Sequence, residues 1–321
     1  MKAKPKAIVH LLLKVLVTGV LLWWLSQYFN YQQIRESLRE VDPDLILLAV
    51  GLHILSYLVG GVRWWLLFRH LAGPVSLRQI MPSYYLGVFF NNVLPSAYGG
   101  DLARSARLYV SGMSGSALVG SALMDRILGL VSVVMMGGIA LILMPPVVAN
   151  RFTWPVLGAI FLGLVFVFVL FVLPGWVKNV DRGLGDRWPR IHAVLSCFPR
   201  YRAAPQLLLG ALGLSFLNQA LVVIVFLLLA PAVGIDVPVL QFVVILMLVF
   251  LVASLPISLG GLGPREGILM ALLLPLGVDS SLALTLSIVY LFVLWCAAMP
   301  GVLVLLFRAN AGKDTEANSV Q

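Results

Sequence analysis

The chain has 321 residues, of which 61% are hydrophobic and 11% are charged, and its mean hydropathy is +1.01. A soluble domain carries about 25% charged residues, so this composition predicts a polytopic membrane protein and excludes a soluble globular enzyme. The formal net charge of +9 does not indicate nucleic-acid binding, because the cations lie in loops and at helix ends, where the positive-inside rule places them. No polar block is long enough for a separate soluble domain, and the longest loop, roughly 175–205, has about the size of a helical hairpin.

Apolar stretches of about 20 residues, the length that crosses a bilayer, occur six times. The predicted spans are, in chain order, Ile8–Phe29, Leu45–Phe68, Ala117–Met144, Trp154–Leu173, Leu207–Ala230 and Leu282–Phe307. The first has the length of a retained helix, and no small-residue cleavage site follows it as in a signal peptide. Two shorter apolar segments, Ile80–Leu94 and Val239–Leu255, end at breaks rich in Pro and Gly. Between these breaks we expect the chain to be helical.

The two breaks share one residue pattern. The first copy is Leu94-Pro95, Gly99-Gly100 and Arg104, and the second, 161 residues later, is Leu255-Pro256, Gly260-Gly261 and Arg265. The same offset brings the spans of the first half close to those of the second. Broken helices at matching places in two halves of a membrane protein point to a substrate site. We therefore predict a first membrane repeat at residues 1–150 and a second at 151–321, with chance similarity in a Gly- and Pro-rich chain as the alternative.

The distribution of cations predicts how the chain crosses the membrane. If both broken segments enter and return on the same side, the amino terminus, the six-cation loop 178–202 and the carboxyl end all lie in the cytoplasm. If only the first segment crossed fully, that loop would be external, against the positive-inside rule. The predicted fold is therefore all-α, with six full spans, two re-entrant hairpins and two inverted repeats. Because irregular backbone at membrane depth must be buried or line a wet cavity, we expect the hairpins to face each other in the interior.

Ionisable residues inside apolar stretches are the candidate functional residues. They are Arg63, Asp101, Arg104, Arg107, Asp125, Arg126, Arg265 and Glu266. An isolated charge at the bilayer centre costs about 2.5–3.5 kcal/mol on insertion scales, so such groups face a cavity, form pairs or have a function. Their cationic excess beside the amino termini of half-helices favours binding of a phosphate group, the charged part of a lipid headgroup.

Several of these residues also have a structural interpretation. Arg63 could extend to the headgroups from the end of its span. Asp125 and Arg126 could tie helices together, each through a partner elsewhere, because adjacent residues do not face each other on a helix. Asn91 could form hydrogen bonds between helices. The tryptophans are expected to mark the interfacial belts; these are Trp23, Trp24, Trp64, Trp65 and Trp154.

Catalytic and cofactor motifs are absent from the sequence. There is no phosphate-binding loop that ends in Gly-Lys-Ser/Thr, no Gly-x-Ser-x-Gly elbow and no paired-carboxylate cluster. The four histidines, His10, His53, His70 and His192, have no metal-ligand spacing. We therefore expect neither a cofactor nor an enzymatic activity.

Four motifs in order carry a resemblance to a known family. They are Tyr85-x-Gly87-x-x-x-Asn91-x-x-Leu94-Pro95, Gly99-Gly100-Asp101-x-x-Arg104, Asp125-Arg126-x-x-Gly129 and Pro256-x-x-x-Gly260-Gly261-x-Gly263-x-Arg265-Glu266. The chain resembles, over nearly its whole length, the lysylphosphatidylglycerol synthase transmembrane (flippase-like) family. In two-domain members the membrane part is associated with moving aminoacylated phosphatidylglycerol between leaflets, and a soluble domain makes that lipid. This chain resembles the membrane part alone, and stand-alone members are associated with glycolipids, hopanoid-related lipids or polyprenyl carriers. The substrate-binding positions that the resemblance implies are Asn91, Asp101, Arg104, Asp125, Arg126, Arg265 and Glu266.

We therefore expect a lipid translocase of the bacterial inner membrane, with both termini cytoplasmic, that moves a phosphate-bearing lipid such as a modified phospholipid or a glycolipid. Arg104 and Arg265 would bind the phosphate in turn, while Asp101 and Glu266 balance them or bind a cationic headgroup or a proton. The expected partners are a membrane phospholipid or lipid-linked substrate and a glycosyltransferase or lipid-modifying enzyme. The alternatives are an enzyme or an accessory subunit of lipid-linked glycan or glycolipid biosynthesis, and a transporter of the DedA type.

Overall fold

The computed structural model describes residues 31–93, 99–144, 189–254 and 263–304, together with the single helical residues Leu16, Trp23 and Gly158. Every regular element in these ranges is a helix, which confirms the predicted all-α class. The predicted spans Ile8–Phe29 and Trp154–Leu173 lie outside the described residues. So do both Leu-Pro pairs and the second Gly pair of the repeated pattern.

The helices are numbered here in chain order among the described residues. They are α1 (Tyr31–Glu40), α2 (Pro43–Ala72), α3 (Leu77–Val93), α4 (Gly99–Val110), α5 (Gly115–Leu143), α6 (Pro189–Leu195), α7 (Cys197–Arg202), α8 (Pro205–Ala232), α9 (Val239–Ala253), α10 (Pro264–Leu273) and α11 (Ser280–Ala298). A short 3-10 turn, Leu274–Leu276, follows α10, and helical structure after α11 extends to Val304. Short helices α6 and α7 occupy the end of the segment that the sequence suggested as a loop.

Four of the described helices, α2, α5, α8 and α11 with its extension, are long and apolar enough to cross a membrane. They coincide with four of the six predicted spans. Helices α3 and α9, which correspond to the broken segments, have 17 and 15 residues. At 1.5 Å per residue they are about 26 and 23 Å long, shorter than the hydrocarbon core of about 30 Å.

The ends of the long helices follow from local chemistry. The carboxylate of Asp42 accepts a hydrogen bond from the backbone N–H of Asp44 at 2.9 Å, and Pro43 occupies the first helical position of α2. An aspartate cap and a first-turn proline are both favourable there, because the first helical N–H groups have no partner within the helix. Gly73, with φ +92°, ends α2. The carboxylate of Asp279 caps α11 in the same way, through the N–H of Ser281 at 2.7 Å.

Helices α2 and α8 pack along each other at the centre of the bundle. Helix α5 packs on both of them, and α11 packs on α2. Helices α3 and α4 form one hairpin that contacts α2, and α9 and α10 form a second that contacts α5 and α11. Two apolar cores result, one around Trp64, Phe68 and Tyr201 and the other around Phe226 and Phe242. The central helices therefore support one hairpin from each half of the chain.

The first hairpin is closed by a very close contact between its two helices. A Cβ atom on Gly100 would lie 2.0 Å from the carbonyl oxygen of Gly87 and 2.5 Å from the side-chain oxygen of Asn91. Only glycine fits at this approach, since real Cβ contacts do not fall below 3.0 Å. Gly100, the second glycine of the first motif, thus allows the close approach of α3 and α4, and with it the position of the charged residues that follow on α4.

Candidate functional site

Three spanning or hairpin helices bring a set of buried charges together. The Nε of Arg63 on α2 donates to Oδ1 of Asp125 on α5 at 2.7 Å. The Nη2 of Arg104 on α4 donates to the other oxygen of the same carboxylate at 3.4 Å. The Nη1 of Arg63 also donates to the hydroxyl of Ser215 on α8 at 2.9 Å. A single carboxylate thus connects two arginines, and the hydroxyl ties them to the second half of the chain.

A second carboxylate extends this set. Nη2 of Arg104 lies 2.7 Å from Oδ1 of Asp101, one turn earlier on α4. Nε of Arg126 on α5 donates to the other oxygen of Asp101. We call the resulting alternating series the first charge cluster; it consists of Arg63, Asp125, Arg104, Asp101 and Arg126. With three guanidinium groups and two carboxylates, the cluster has a formal charge of +1.

The first charge cluster lies well inside the bundle. Arg63 is nine residues before the end of α2 and Asp125 ten residues after the start of α5, which corresponds to about 14–15 Å along each helix axis. Arg63 is buried and paired with Asp125, so it does not extend to the headgroups as one interpretation of the sequence proposed. The side chain of Arg126 is 34% exposed, which makes it the accessible end of the cluster.

Aromatic rings hold the central arginine. The guanidinium carbon of Arg104 lies 4.1 Å from the ring centroid of Trp64 and 5.5 Å from that of Tyr84. Such cation–π contacts attract the guanidinium through its face and use none of its N–H donors. Trp64 is fully buried, and its indole N–H donates to the hydroxyl of Ser121 at 3.1 Å. The assignment of Trp64 to an interfacial belt is therefore wrong, because this side of α2 faces the protein interior.

A cavity of about 170 Å³ adjoins the cluster. Its lining residues are Tyr84, Gly87, Val88, Asn91, Asp101, Arg104, Asp125 and Arg126. Arg104 is only 4% exposed, and its Nε has no hydrogen-bond partner among the described residues. A buried donor without a partner costs about 1–3 kcal/mol. The cavity is thus lined by an arginine that has one guanidinium N–H without a partner among the described residues.

Asn91 has two roles in this site. It lines the cavity, and its side-chain oxygen accepts a hydrogen bond from the backbone N–H of Gly100 at 2.9 Å. This bond joins α3 to α4 and confirms the interpretation of Asn91 as an inter-helix hydrogen-bonding residue. It also satisfies one of the free N–H groups at the start of α4.

Arg265 and Glu266 form a second charge cluster at the start of α10. Nε of Arg265 donates to Oε1 of Glu266 at 2.9 Å, and the hydroxyl of Ser287 on α11 donates to the same oxygen at 2.8 Å. The other carboxylate oxygen accepts from the backbone N–H of Gly263 at 2.7 Å, which caps α10. The guanidinium carbon of Arg265 lies 5.4 Å from the ring centroid of Tyr290. Glu266 is thus a helix cap as well as the counter-ion of Arg265.

The structure brings five of the seven predicted site residues to one cavity and keeps two apart. Asn91, Asp101, Arg104, Asp125 and Arg126 line the cavity. Arg265 and Glu266 lie in the second charge cluster, and no ion pair between described residues joins the two clusters. Each member of the Asp125-Arg126 dipeptide has its partner on another helix, as expected for neighbours on a helix surface.

Three contributors to the site, Trp64, Tyr84 and Ser215, were not predicted from the sequence. Hydroxyl and aromatic groups are common in apolar helices, and their contacts depend on the rotation of each helix. Ser215 lies 152 residues from Arg63, so no local pattern could have paired them. As for metals, no group of three or more His, Cys, Asp or Glu within the described part of the chain has the arrangement of an ion site.

Comparisons with known proteins identify the family that the motifs resemble. A family model described as the lysylphosphatidylglycerol synthase TM region matches residues 11–301. A UPF0104 membrane protein of Methanothermobacter thermautotrophicus is 26% identical over 299 residues, which cover 84% of this chain and 87% of that protein. A second UPF0104 membrane protein of the same organism is 22% identical over 312 residues and 87% of both chains. A UPF0104 membrane protein of Pyrococcus horikoshii is 26% identical over 127 residues, which are 39% of this chain and 37% of that protein.

Proposed function

Because the chain belongs to the lysylphosphatidylglycerol synthase TM region family, we propose that it is a lipid translocase that moves a phosphate-bearing lipid between the two leaflets of the inner membrane. The observation that carries the proposal is the cavity beside Arg104. There, a buried guanidinium whose Nε–H has no partner among the described residues belongs to a cluster of net charge +1, and this cluster lies among long apolar helices. A phosphate group matches this arrangement, since it accepts several hydrogen bonds and carries the opposite charge.

The contacts suggest an order of events for the headgroup. Arg126, the accessible end of the cluster, meets the phosphate first. Asp101 holds both Arg126 and Arg104, so an entering phosphate takes over these two donors in place of the carboxylate. The acyl chains remain in the lipid, and apolar side chains on the outer faces of the long helices, such as Ile142 and Leu209, contact them. Only the headgroup then needs a polar route.

Two inverted repeats would supply the second half of this route. The offset of 161 residues supports them, because shifting the bounds of α2 gives 204–233, against 205–232 for α8. The shifted bounds of α3 are 238–254, against 239–253 for α9. The packing of α5 on α8 has its counterpart in the packing of α11 on α2. In this proposal Arg265 is the counterpart of Arg104, and alternating access arises as one half rocks against the other.

The cation distribution places both termini in the cytoplasm in this proposal, with six spans and two re-entrant hairpins. The first hairpin then opens toward the cytoplasm and the second toward the opposite face. Arg104 and Arg265 would receive the phosphate from opposite sides. A glycosyltransferase or a lipid-modifying enzyme is the partner that would supply the lipid or consume it.

The test measures headgroup movement in vesicles that contain the purified protein and a fluorescent phosphatidylglycerol. We expect Arg104→Ala and Arg265→Ala to slow movement by about 10- to 100-fold, because each loses charged hydrogen bonds worth about 1.5–3 kcal/mol. Arg69→Ala is the matched control, since Arg69 is an exposed cation at the end of α2, and its rate should stay at the wild-type level. Arg104→Lys retains the positive charge at this position, so it serves as a second variant if Arg104→Ala does not fold.

Unchanged movement in folded Arg104→Ala and Arg265→Ala proteins would contradict the proposal. Turnover of a lipid-linked sugar or phosphate by the purified protein would favour the enzyme alternative. A strict requirement for a second protein, with the intramembrane charges dispensable, would favour the accessory-subunit alternative.

A further inference from the structure

His53 on α2 is a buried titratable residue that the proposed lipid route does not use. Its side chain is 2% exposed, and its Nδ1 is buried without a hydrogen-bond partner among the described residues. A buried polar atom without a partner costs about 1–3 kcal/mol, whereas an apolar ring at this position would not incur that cost. An ionisable residue inside a membrane span therefore needs a functional explanation.

Two tyrosine rings surround His53. Its ring centroid lies 4.7 Å from that of Tyr57 on the same helix and 5.5 Å from that of Tyr290 on α11. Both contacts are edge-to-face, with interplanar angles of 80° and 84°. In such a contact one ring presents its edge to the face of the other. His53 is thus enclosed by aromatic rings, and a negative charge nearby is what would favour an imidazolium there.

These rings belong to a continuous series that joins the two charge clusters. On one side, Tyr290 lies against the guanidinium of Arg265. On the other, Tyr57 contacts Tyr85 at 6.5 Å, and Tyr85 contacts Tyr84 at 6.4 Å. Tyr84 in turn lies 5.5 Å from the guanidinium carbon of Arg104. His53 is the one imidazole in this described series, and it lies between the two phosphate-binding arginines of the proposed function.

The helices packed against α2 bring no carboxylate to His53 among the described contacts. Helix α8 has no titratable side chain between Pro205 and Ala232. The charged residues of α5, Asp125 and Arg126, are engaged in the first charge cluster. From α11 the facing group is Tyr290, with Arg265 behind it. From α3 the facing group is Tyr85, which contacts Tyr57, and Tyr57 in turn contacts His53.

We propose that His53 is a proton-binding site that couples movement of the lipid phosphate to movement of one proton. In the structure Glu266 neutralises Arg265, so no excess negative charge favours an imidazolium. A phosphate that binds Arg265 adds negative charge one ring away from His53, and a proton from the adjoining aqueous side then binds Nδ1. When the phosphate leaves, His53 releases that proton to the opposite side. A singly charged phosphodiester and its proton thus cross as a neutral pair. This inference rests on the proposed function.

The experiment uses vesicles that contain the full-length protein and a short-chain fluorescent phosphatidylglycerol, whose leaflet distribution is measured by extraction with albumin. A pH difference of 1.5 units is imposed while valinomycin and potassium hold the membrane potential at zero. Coupling to one proton shifts the distribution by at most about tenfold per pH unit, and we expect at least a threefold shift for the wild type. Because the shift depends on the gradient alone, mixed orientation of the protein in the vesicles does not cancel it.

Histidine 53 is tested by His53→Gln, and His70→Gln is the matched control. His70 lies on the same helix, half-buried, with its ring bonded to the backbone of Arg200. We expect H53Q to lose the gradient-driven shift while movement without a gradient continues, and H70Q to retain both. A gradient-driven shift in H53Q equal to that of the wild type would overturn the inference.

Two further outcomes separate this inference from the proposed function. Movement by the wild type that ignores the pH difference overturns the proton site but leaves the translocase intact. No movement at all overturns both. If H53Q does not fold, pyranine trapped inside wild-type vesicles gives the answer, because headgroup movement without a matching change in internal pH would also overturn the inference.

Discussion

Replacing Asp125 with asparagine removes the carboxylate that two buried arginines share. Arg104 keeps the carboxylate of Asp101 at 2.7 Å, whereas Arg63 loses the one carboxylate that it contacts among the described residues. Arg63 is left with two neutral acceptors, the hydroxyl of Ser215 and the amide oxygen of the new asparagine. Removing one partner of a buried ion pair costs about 3–5 kcal/mol, because the other charge stays buried without compensation. Since Arg104 retains its second carboxylate, the loss falls mainly on Arg63. We expect Asp125→Asn to lower the free energy of unfolding by about 3–4 kcal/mol.

Equilibrium unfolding in mixed detergent and dodecyl sulfate micelles, followed by circular dichroism, measures this change. The double variant R63M/D125L replaces both partners of the pair with apolar side chains, which is often neutral for a buried pair. We expect the double variant to be at least about 2 kcal/mol more stable than the summed losses of Arg63→Met and Asp125→Leu would give. Asp44→Asn is the control, since Asp44 is exposed and surface changes stay within about 0.5 kcal/mol. A cost below about 1 kcal/mol for Asp125→Asn, or additivity within about 0.5 kcal/mol, would refute the reasoning.

Three other predictions follow from single contacts. Gly100→Ala should lower the melting temperature in detergent, because its Cβ would meet a backbone carbonyl of α3 at 2.0 Å, whereas Gly51→Ala, with nothing within 4 Å, should not. In the unfolding assay Glu266→Gln should cost about 3–5 kcal/mol and Ser287→Ala about 1.5–3 kcal/mol; the reverse order would show that the carboxylate is not the centre of its cluster. Burial raises the pKa of the Cys197 thiol, so fewer thiolates exist at neutral pH. Its alkylation, followed by mass spectrometry, should therefore lag behind a free thiol at pH 7 and accelerate toward pH 9, and equal rates at pH 7 would contradict this.

Hydropathy alone was sufficient to predict the long helices of the described ranges. The predicted span Leu45–Phe68 lies inside α2, which begins two residues earlier and continues for four residues beyond it. The predicted broken segment Val239–Leu255 nearly coincides with α9. The short helices α6 and α7 could not be delimited within the longest predicted loop, because so few residues give no apolar period. How many times the whole chain crosses the membrane stays a prediction.

The candidate site was harder to predict from the sequence than the long helices were. Residue type and depth identified Arg104 and Asp125, since charges in apolar stretches are rare and need partners. The ion pair between Arg63 and Asp125 could not be predicted, because the two residues are 62 positions apart and meet only through helix packing. Trp64 was assigned to a membrane interface by residue type alone, whereas the rotation of α2 turns it toward Arg104. Glu266 was identified by its position after a helix break, but its hydrogen bond to the backbone of Gly263 required the local geometry.

The long separation between Arg63 and its partners has a consequence for biogenesis. Asp125 follows Arg63 by 62 residues, and Ser215 follows Arg63 by 152 residues. At a synthesis rate of about 5–20 residues per second, the carboxylate emerges about 3–12 s after the arginine, and the hydroxyl about 8–30 s after it. During this time an unpaired guanidinium adds about 2.5–3.5 kcal/mol to the free energy of inserting α2. We expect nascent α2 to stay beside the translocon or near the lipid surface until α5 and α8 have been made.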